Sequence, residues 1–286
     1  FRKEGKPYKT PNADPIQDLD RLPDPALYFD FQHLATSRGC PGNCTFCGSP
    51  GFWKRRTRFH SPEFVVDQMA RIAGRGLRFF FISDDTFTLR KDRVIRICRM
   101  ILERKLEISW AAISRVDRID GESLSWMRRA GCIQISFGVE SGSPRIRSFL
   151  GKPLQADQIR KAFHLTASYG ILPRAYFIYG SAGETRDTIQ ETLELIRKIR
   201  PLAAIFYILD IFPGTALYED FKRQTGANDD VWLQRIEDVL YFESDPHLSK
   251  ETVLEFGRTL RESFYRELPG FADRIDLVED SSLYPM

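Results

Sequence analysis

Between residues 31 and 215, short apolar runs alternate with amphipathic helical stretches. That alternation restricts the segment to parallel βα units. The expected strands are Gln32–Ser37, Leu77–Ile82, Ile108–Ser114, Cys132–Val139, Leu172–Tyr179 and Ala203–Ile211. The expected helices are Pro62–Ala73, Arg90–Arg104, Gly121–Ala130, Gln155–Tyr169 and Thr185–Arg200. Pro62 suits a first helical turn, where its missing N–H is no loss. Val94, Ile97 and Ile101 share one helical face, as do Ile189, Leu193 and Ile196. Six units are fewer than the eight that close a barrel.

The flanks read differently. Pro7, Pro11, Pro15, Pro23 and Pro25 discourage helix, so residues 1–30 are expected to be an extended linker. Residues 216–286 are expected to be a helical extension of a 31–215 core. Its last helix starts at Ser249 as N-cap and aligns Val253, Phe256, Leu260, Phe264 and Leu268.

Chemistry concentrates just after the first strand, where Cys40, Cys44 and Cys47 are spaced Cys-x3-Cys-x2-Cys on a Gly/Pro-bearing loop. Three thiolates on one loop suit a soft metal centre. Iron–sulfur cubes are usually held by four cysteines. A cube held by three leaves one iron open for a ligand, much as catalytic zinc keeps an open position. A structural zinc would want a fourth ligand, and the nearest histidine, His33, lies in the expected strand seven residues upstream. Five cysteines in 286 residues do not make a secreted disulfide scaffold. Cys98 and Cys132 fall in apolar patterns and read as small buried hydrophobes.

With Phe46 just before the third cysteine, the loop resembles the signature of the radical SAM enzymes. In that family the loop holds a [4Fe-4S] cluster whose open iron chelates S-adenosylmethionine (SAM), and the fold is a partial (β/α)6 barrel. The resemblance spans roughly residues 15–216. Asp18-Leu19-Asp20-Arg21-Leu22-Pro23, Asp84-Asp85-Thr86-Phe87 and Gly138-Val139-Glu140-Ser141 are similar to the branch with an N-terminal cobalamin-binding domain, which includes class B methylases and anaerobic cyclases. The resemblance implies an α/β core, an electron donor of the flavodoxin or ferredoxin type, a small-molecule substrate, and cobalamin supplied by a domain upstream of this chain. The nearest echo of a cobalamin-ligating motif, Asp245-Pro246-His247, lacks the expected glycine and reads as a loop.

Ligands in parallel α/β sheets bind beyond the carboxyl ends of the strands. Asp84 and Asp85 end the second strand, and Arg115 ends the third. Glu140 and Ser141 end the fourth, and the resemblance sets them near the SAM ribose and methionyl groups. Gly180-Ser181-Ala182-Gly183-Glu184-Thr185 follows the fifth strand, and Ile211-Phe212-Pro213-Gly214-Thr215 follows the sixth. Together with these strand-end positions, the resemblance implies Phe46, Asp84, Asp85, Arg115, Glu140, Ser141, Arg174 and Phe212 as the cofactor contacts. Strand alternation makes Arg115, Gln134, Arg174 and Tyr176 candidates for the barrel lining.

A net charge of +3 is too small to argue for nucleic acid. The densest basic run, Trp53-Lys54-Arg55-Arg56-Thr57-Arg58, adjoins the cysteine loop and suits an anionic substrate or partner. No run approaches the length of a membrane span, and free thiols with no export signal point to a reducing cytoplasm. The leading expectation is a radical SAM methyltransferase domain. A radical SAM oxidoreductase or cyclase, an iron–sulfur electron carrier and a zinc-stabilised module stay open as alternatives. Methylthiotransferases use three further cysteines, and only Cys98 and Cys132 are left.

Overall fold

The computed structural model of the chain describes residues 2–3, 5–7, 10, 13–230, 245 and 247–281. Six strands form one sheet: β1 (His33–Leu34), β2 (Phe79–Ile82), β3 (Ser109–Ser114), β4 (Cys132–Glu140), β5 (Leu172–Tyr179) and β6 (Ala203–Ile208). They lie side by side in chain order and every pairing is parallel. The helices are α1 (Gly48–Trp53), α2 (Pro62–Gly74), α3 (Lys91–Glu103), α4 (Gly121–Arg129), α5 (Pro144–Phe149), α6 (Ala156–Ser168), α7 (Arg186–Ile199), α8 (Ala216–Thr225), α9 (Lys250–Glu267) and α10 (Asp273–Glu279). This is the α/β architecture of a partial (β/α)6 barrel.

Strand alternation divides the side chains into two sets. Along β5, Ala175, Phe177 and Tyr179 are buried with the helices, whereas Arg174, Tyr176 and Ile178 face the concave side. The apolar stripes of α2, α3 and α7 cover the convex face through Val66, Met69, Ile97, Ile101, Ile189 and Ile196. The helices begin where their caps permit. Ser61 Oγ accepts from Phe64 N at 3.1 Å ahead of Pro62, and Thr185 accepts from Thr188 N. Ser249 caps α9, whose Val253, Phe256, Leu260 and Phe264 are buried against α7 and β6.

β1 is shorter than its apolar run suggests. The amides of Thr36 and Ser37 donate to the Asp84 carboxylate at 2.6 and 2.9 Å and so are withdrawn from the ladder. Ser37–Arg38 then pairs antiparallel with Arg58–Phe59. Upstream, short 3-10 turns at Leu19–Arg21 and Pro25–Leu27 dock on α2. Asp20 accepts from Ser61 N and Asp24 from Gln68. Asp245 accepts from Gly183 N, while Pro246 lies outside the described residues.

Candidate active site

The loop between β1 and α1 is fixed from two sides. Gly39 has φ +101°, and a Cβ there would lie 2.1 Å from the Arg56 carbonyl oxygen, so only glycine fits. On the other side Thr45 donates through N and Oγ1 to the carbonyls of Leu150 and Phe149, at 3.1 and 3.0 Å. Phe46 packs into a small apolar cluster with Ile146, Leu150 and Leu217. The basic run wraps the same loop: Arg55 Nε donates to Pro41 O, Thr57 Oγ1 to Gly39 O, and the Arg58 guanidinium stacks 5.0 Å from the Trp53 ring.

Held in this way, Cys40, Cys44 and Cys47 are half-buried and line one wall of a cavity of about 490 Å3 at the C-terminal ends of the strands. Burial pushes the Cys44 and Cys47 thiols up, against the pull of Lys152 on Cys44 and of the Ser49 amide on Cys47. Gly42 N donates to Cys40 Sγ at 3.3 Å. Among the described residues, no three His, Cys, Asp or Glu side chains meet at a single metal-ion position. A cube takes each thiolate at a different iron, so its ligands must ring a volume rather than converge on a point. Three thiols spread along one cavity wall, none of them converging on a single point, suit that demand.

Beside Cys44 lies a buried ion pair. Lys152 Nζ donates to Glu140 Oε1 at 2.6 Å. Glu140 has φ +67° at the end of β4, where the register with β5 shifts. A non-glycine residue in that region carries strain of about 1–3 kcal/mol. The pair rests on Gly138, where a Cβ would lie 2.4 Å from Glu140 Oε1 and 2.5 Å from Lys152 Nζ. Arg115 spends Nε and one terminal nitrogen on Asp117, at 2.9 and 3.0 Å, which raises its pKa further. Its other terminal nitrogen is directed at the cysteine loop near Gly42.

Of the expected contacts, Phe46, Asp85, Arg115, Glu140 and Phe212 line this cavity with the three cysteines. Asp84 does not. Its carboxylate is buried behind the loop and accepts four bonds from Thr36 and Ser37, at 2.6–2.9 Å. Ser141 is also outside the lining. It is fully buried, with Oγ bonded to Ser143 N and facing Thr192 Oγ1. Arg174 lies on the concave face but in a second cavity further down the strands, with Gln134. Tyr176 is in the first cavity. Lys152 and Tyr207 belong to the site and were not among the expected residues. Lys152 is flanked by Gly151 and Pro153 in an otherwise apolar turn, a weak signal.

A partial barrel of parallel strands with three half-buried thiols along one wall of a cavity at its C-terminal end is an arrangement that suits an iron–sulfur enzyme core. The family profile "Radical SAM superfamily" matches residues 34–196, so the chain belongs to the radical SAM superfamily. An uncharacterized methyltransferase of Pyrococcus horikoshii is 35% identical over 231 residues, covering 77% of this chain and 50% of that protein. An anaerobic magnesium-protoporphyrin IX monomethyl ester cyclase of Rubrivivax gelatinosus is 30% identical over 232 residues, covering 76% of this chain and 42% of that protein. The structure of the radical SAM methyltransferase TsrM from Kitasatospora setae, with cobalamin and a [4Fe-4S] cluster bound, superposes with a TM-score of 0.61. That match is 20% identical and covers 66% of this chain and 39% of that one, so it shows the shared fold. The chain thus spans about half or less of the relatives it matches. Membership implies a [4Fe-4S] cluster and SAM. No helix among the described residues is long and apolar enough to cross a membrane.

Proposed function

We propose that this chain is the catalytic core of a radical SAM enzyme acting on a small organic substrate, with methyl transfer as the leading reaction. The supporting observation is that three half-buried thiols share one cavity with the buried Lys152–Glu140 pair. When bound, cluster and SAM supply one-electron reductive cleavage to a 5′-deoxyadenosyl radical that abstracts hydrogen from substrate.

The chain's own residues bind, orient and exclude water, since the radical chemistry belongs to the cofactor. Cys40, Cys44 and Cys47 would hold three irons of the cluster. Lys152 and Glu140 present one cation and one anion to the amino-acid end of SAM, a complementary zwitterion. The free terminal nitrogen of Arg115 adds positive charge beside the loop. Phe46, Ile208 and Phe212 supply apolar surface for the adenosyl group. Burial strengthens these polar contacts, because a water-poor site has a low effective dielectric.

Methyl transfer would draw on cobalamin held by a domain outside this chain. The relatives named as methyltransferases support this reading, and those named as cyclases support a second one, oxidative cyclisation without methyl transfer. The basic Trp53–Arg58 run beside the loop suits an acidic flavodoxin- or ferredoxin-type electron donor in the cytoplasm. Electron paramagnetic resonance of anaerobically reconstituted, reduced protein tests the class. A [4Fe-4S]+ signal that shifts on adding SAM is expected. A signal indifferent to SAM, or zinc in place of iron, would overturn it.

A further inference from the structure

The concave face carries a second cavity, of about 400 Å3, towards the N-terminal ends of the strands. Its walls are Phe79, Phe81, Ala111, His33, Gln134 and Arg174, with Ile133 beside them, and no carboxylate lines it. It belongs to the same lumen as the cysteine-lined cavity. Arg174 and Tyr176 are two residues apart on one face of β5, as are Ala111 and Ile113 on β3. Two residues of strand advance the chain by roughly 7 Å. The Tyr207 phenol, in the upper cavity and 5.9 Å ring to ring from Tyr176, also lies within electrostatic reach of the Arg174 guanidinium.

Arg174 differs from Arg93 and Arg147, two buried arginines held by backbone carbonyls. Arg93 donates to the carbonyls of His60 and Thr36, and Arg147 to those of Ser141, Gly142 and Leu154. Arg174 has no hydrogen-bond or ion-pair partner among the described residues, and its Nε is fully buried. Ser136, which faces it in the β4–β5 register, is also fully buried with an unpartnered Oγ. The residue as a whole is half-buried, so its terminal nitrogens open onto the cavity while Nε does not, and a guanidinium keeps its proton at every relevant pH. Buried polar groups are nearly always paired, and an orphaned one asks for a missing partner. The planar fork matches carboxylate and phosphoryl groups bidentately.

We propose that Arg174 is a specificity-determining residue that receives an oxyanion, carboxylate or phosphoryl, at one end of an elongated organic substrate. The Gln134 amide would supply a further donor. Phe79 and Phe81 flank the hydrocarbon part, and the reacting carbon lies towards Tyr176 and the cysteine-lined cavity. This rests on the radical SAM reading, which places the reactive end of the lumen at the cysteines.

The test uses cluster-loaded protein with SAM and three probes observed by ligand NMR: 3-phenylpropionate, 2-phenylethylphosphonate and the neutral 3-phenylpropanamide. Both anions are expected to bind the wild type at least tenfold more tightly than the amide. Their relative affinity identifies which oxyanion the site prefers. Arg174→Gln should weaken both anions at least tenfold, and Arg174→Lys should weaken them less. In Arg174→Gln the SAM-induced change in the cluster spectrum should persist, and the unfolding midpoint should stay level or rise, because no protein hydrogen bond is lost. Four results would overturn the proposal: no anion binding by the wild type, equal binding by Arg174→Gln, an amide that binds as well as the acids, or a lowered midpoint marking a structural arginine. Loss of the SAM response in Arg174→Gln, with anion binding intact, would reassign the residue to the cofactor. A wild-type cluster blind to SAM sinks the radical SAM reading alone, because the anion arm is read independently.

Discussion

Lys152 Nζ lies 2.6 Å from Glu140 Oε1, and each side chain is only 7% exposed. Lys152 follows α5 and Glu140 ends β4, so the pair closes a twelve-residue excursion that packs against the cysteine loop. Removing one member of such a pair strands the other charge, whereas removing both does not.

Lys152→Met should therefore destabilise the apo-protein by about 3–5 kcal/mol. Adding Glu140→Gln should recover most of that loss. Neither variant is expected to show the SAM-dependent change in the cluster spectrum. Denaturant unfolding and paramagnetic resonance read the two effects separately. Recovery of stability without recovery of the spectral change is the outcome that assigns the pair to the cofactor.

Gly138→Ala acts on the same pair without touching either charge. Its Cβ would intrude to 2.4 Å from Glu140 Oε1 and 2.5 Å from Lys152 Nζ. Three irons should still be ligated, so iron content should match wild type. SAM affinity should drop at least tenfold. Iron analysis with a SAM titration checks this, and unchanged affinity would mean that the pair is remote from the cofactor.

Asp84→Asn targets the loop's foundation. Thr36 and Ser37 give Asp84 four hydrogen bonds, and hydrogen bonds to charged groups are worth about 1.5–3 kcal/mol each. The amide can accept through one oxygen only, so two hydroxyl or amide donors lose their acceptor. A stability loss of at least about 2 kcal/mol is expected, with fewer irons retained per chain after desalting. Normal iron retention would show that the cysteine loop holds its shape without this anchor.

Glu184 provides a pH test. Burial pushes its carboxyl up to about 7, against the opposing pull of the Gly180 and Ser181 amides and of Arg145. Its Oε1 has no partner. The folded pKa is raised, so the folded state holds the proton more tightly than the unfolded chain. Its contribution is thus fully present below about pH 4.5 and is lost as pH rises to about 7. At pH 8 the wild type should be less stable than Glu184→Gln by up to about 3 kcal/mol relative to their difference at pH 4.5. Urea unfolding at the two pH values measures it, and parallel curves would refute it.

Much of the fold is written in periodicity. The stripes Val94, Ile97, Ile101 and Ile189, Leu193, Ile196 place α3 and α7, and the apolar runs place the strands to within a few residues. The missed details depend on partners distant in sequence. β1 stops early because a carboxylate 48 residues away takes its amides. Asp84 and Asp85 look alike in sequence, yet alternation sends one behind the loop and the other into the cavity. Lys152 is legible as a site residue only once Glu140 is seen to reach it. Alternation placed Arg174 in the lumen but did not show at which end.

The sheet begins with β6 at one edge and ends with β1 at the other, and among the described residues the two do not pair. At such a seam no ladder hydrogen bond ties the first strand to the last, so among the described residues side-chain packing alone sets how wide the lumen is there.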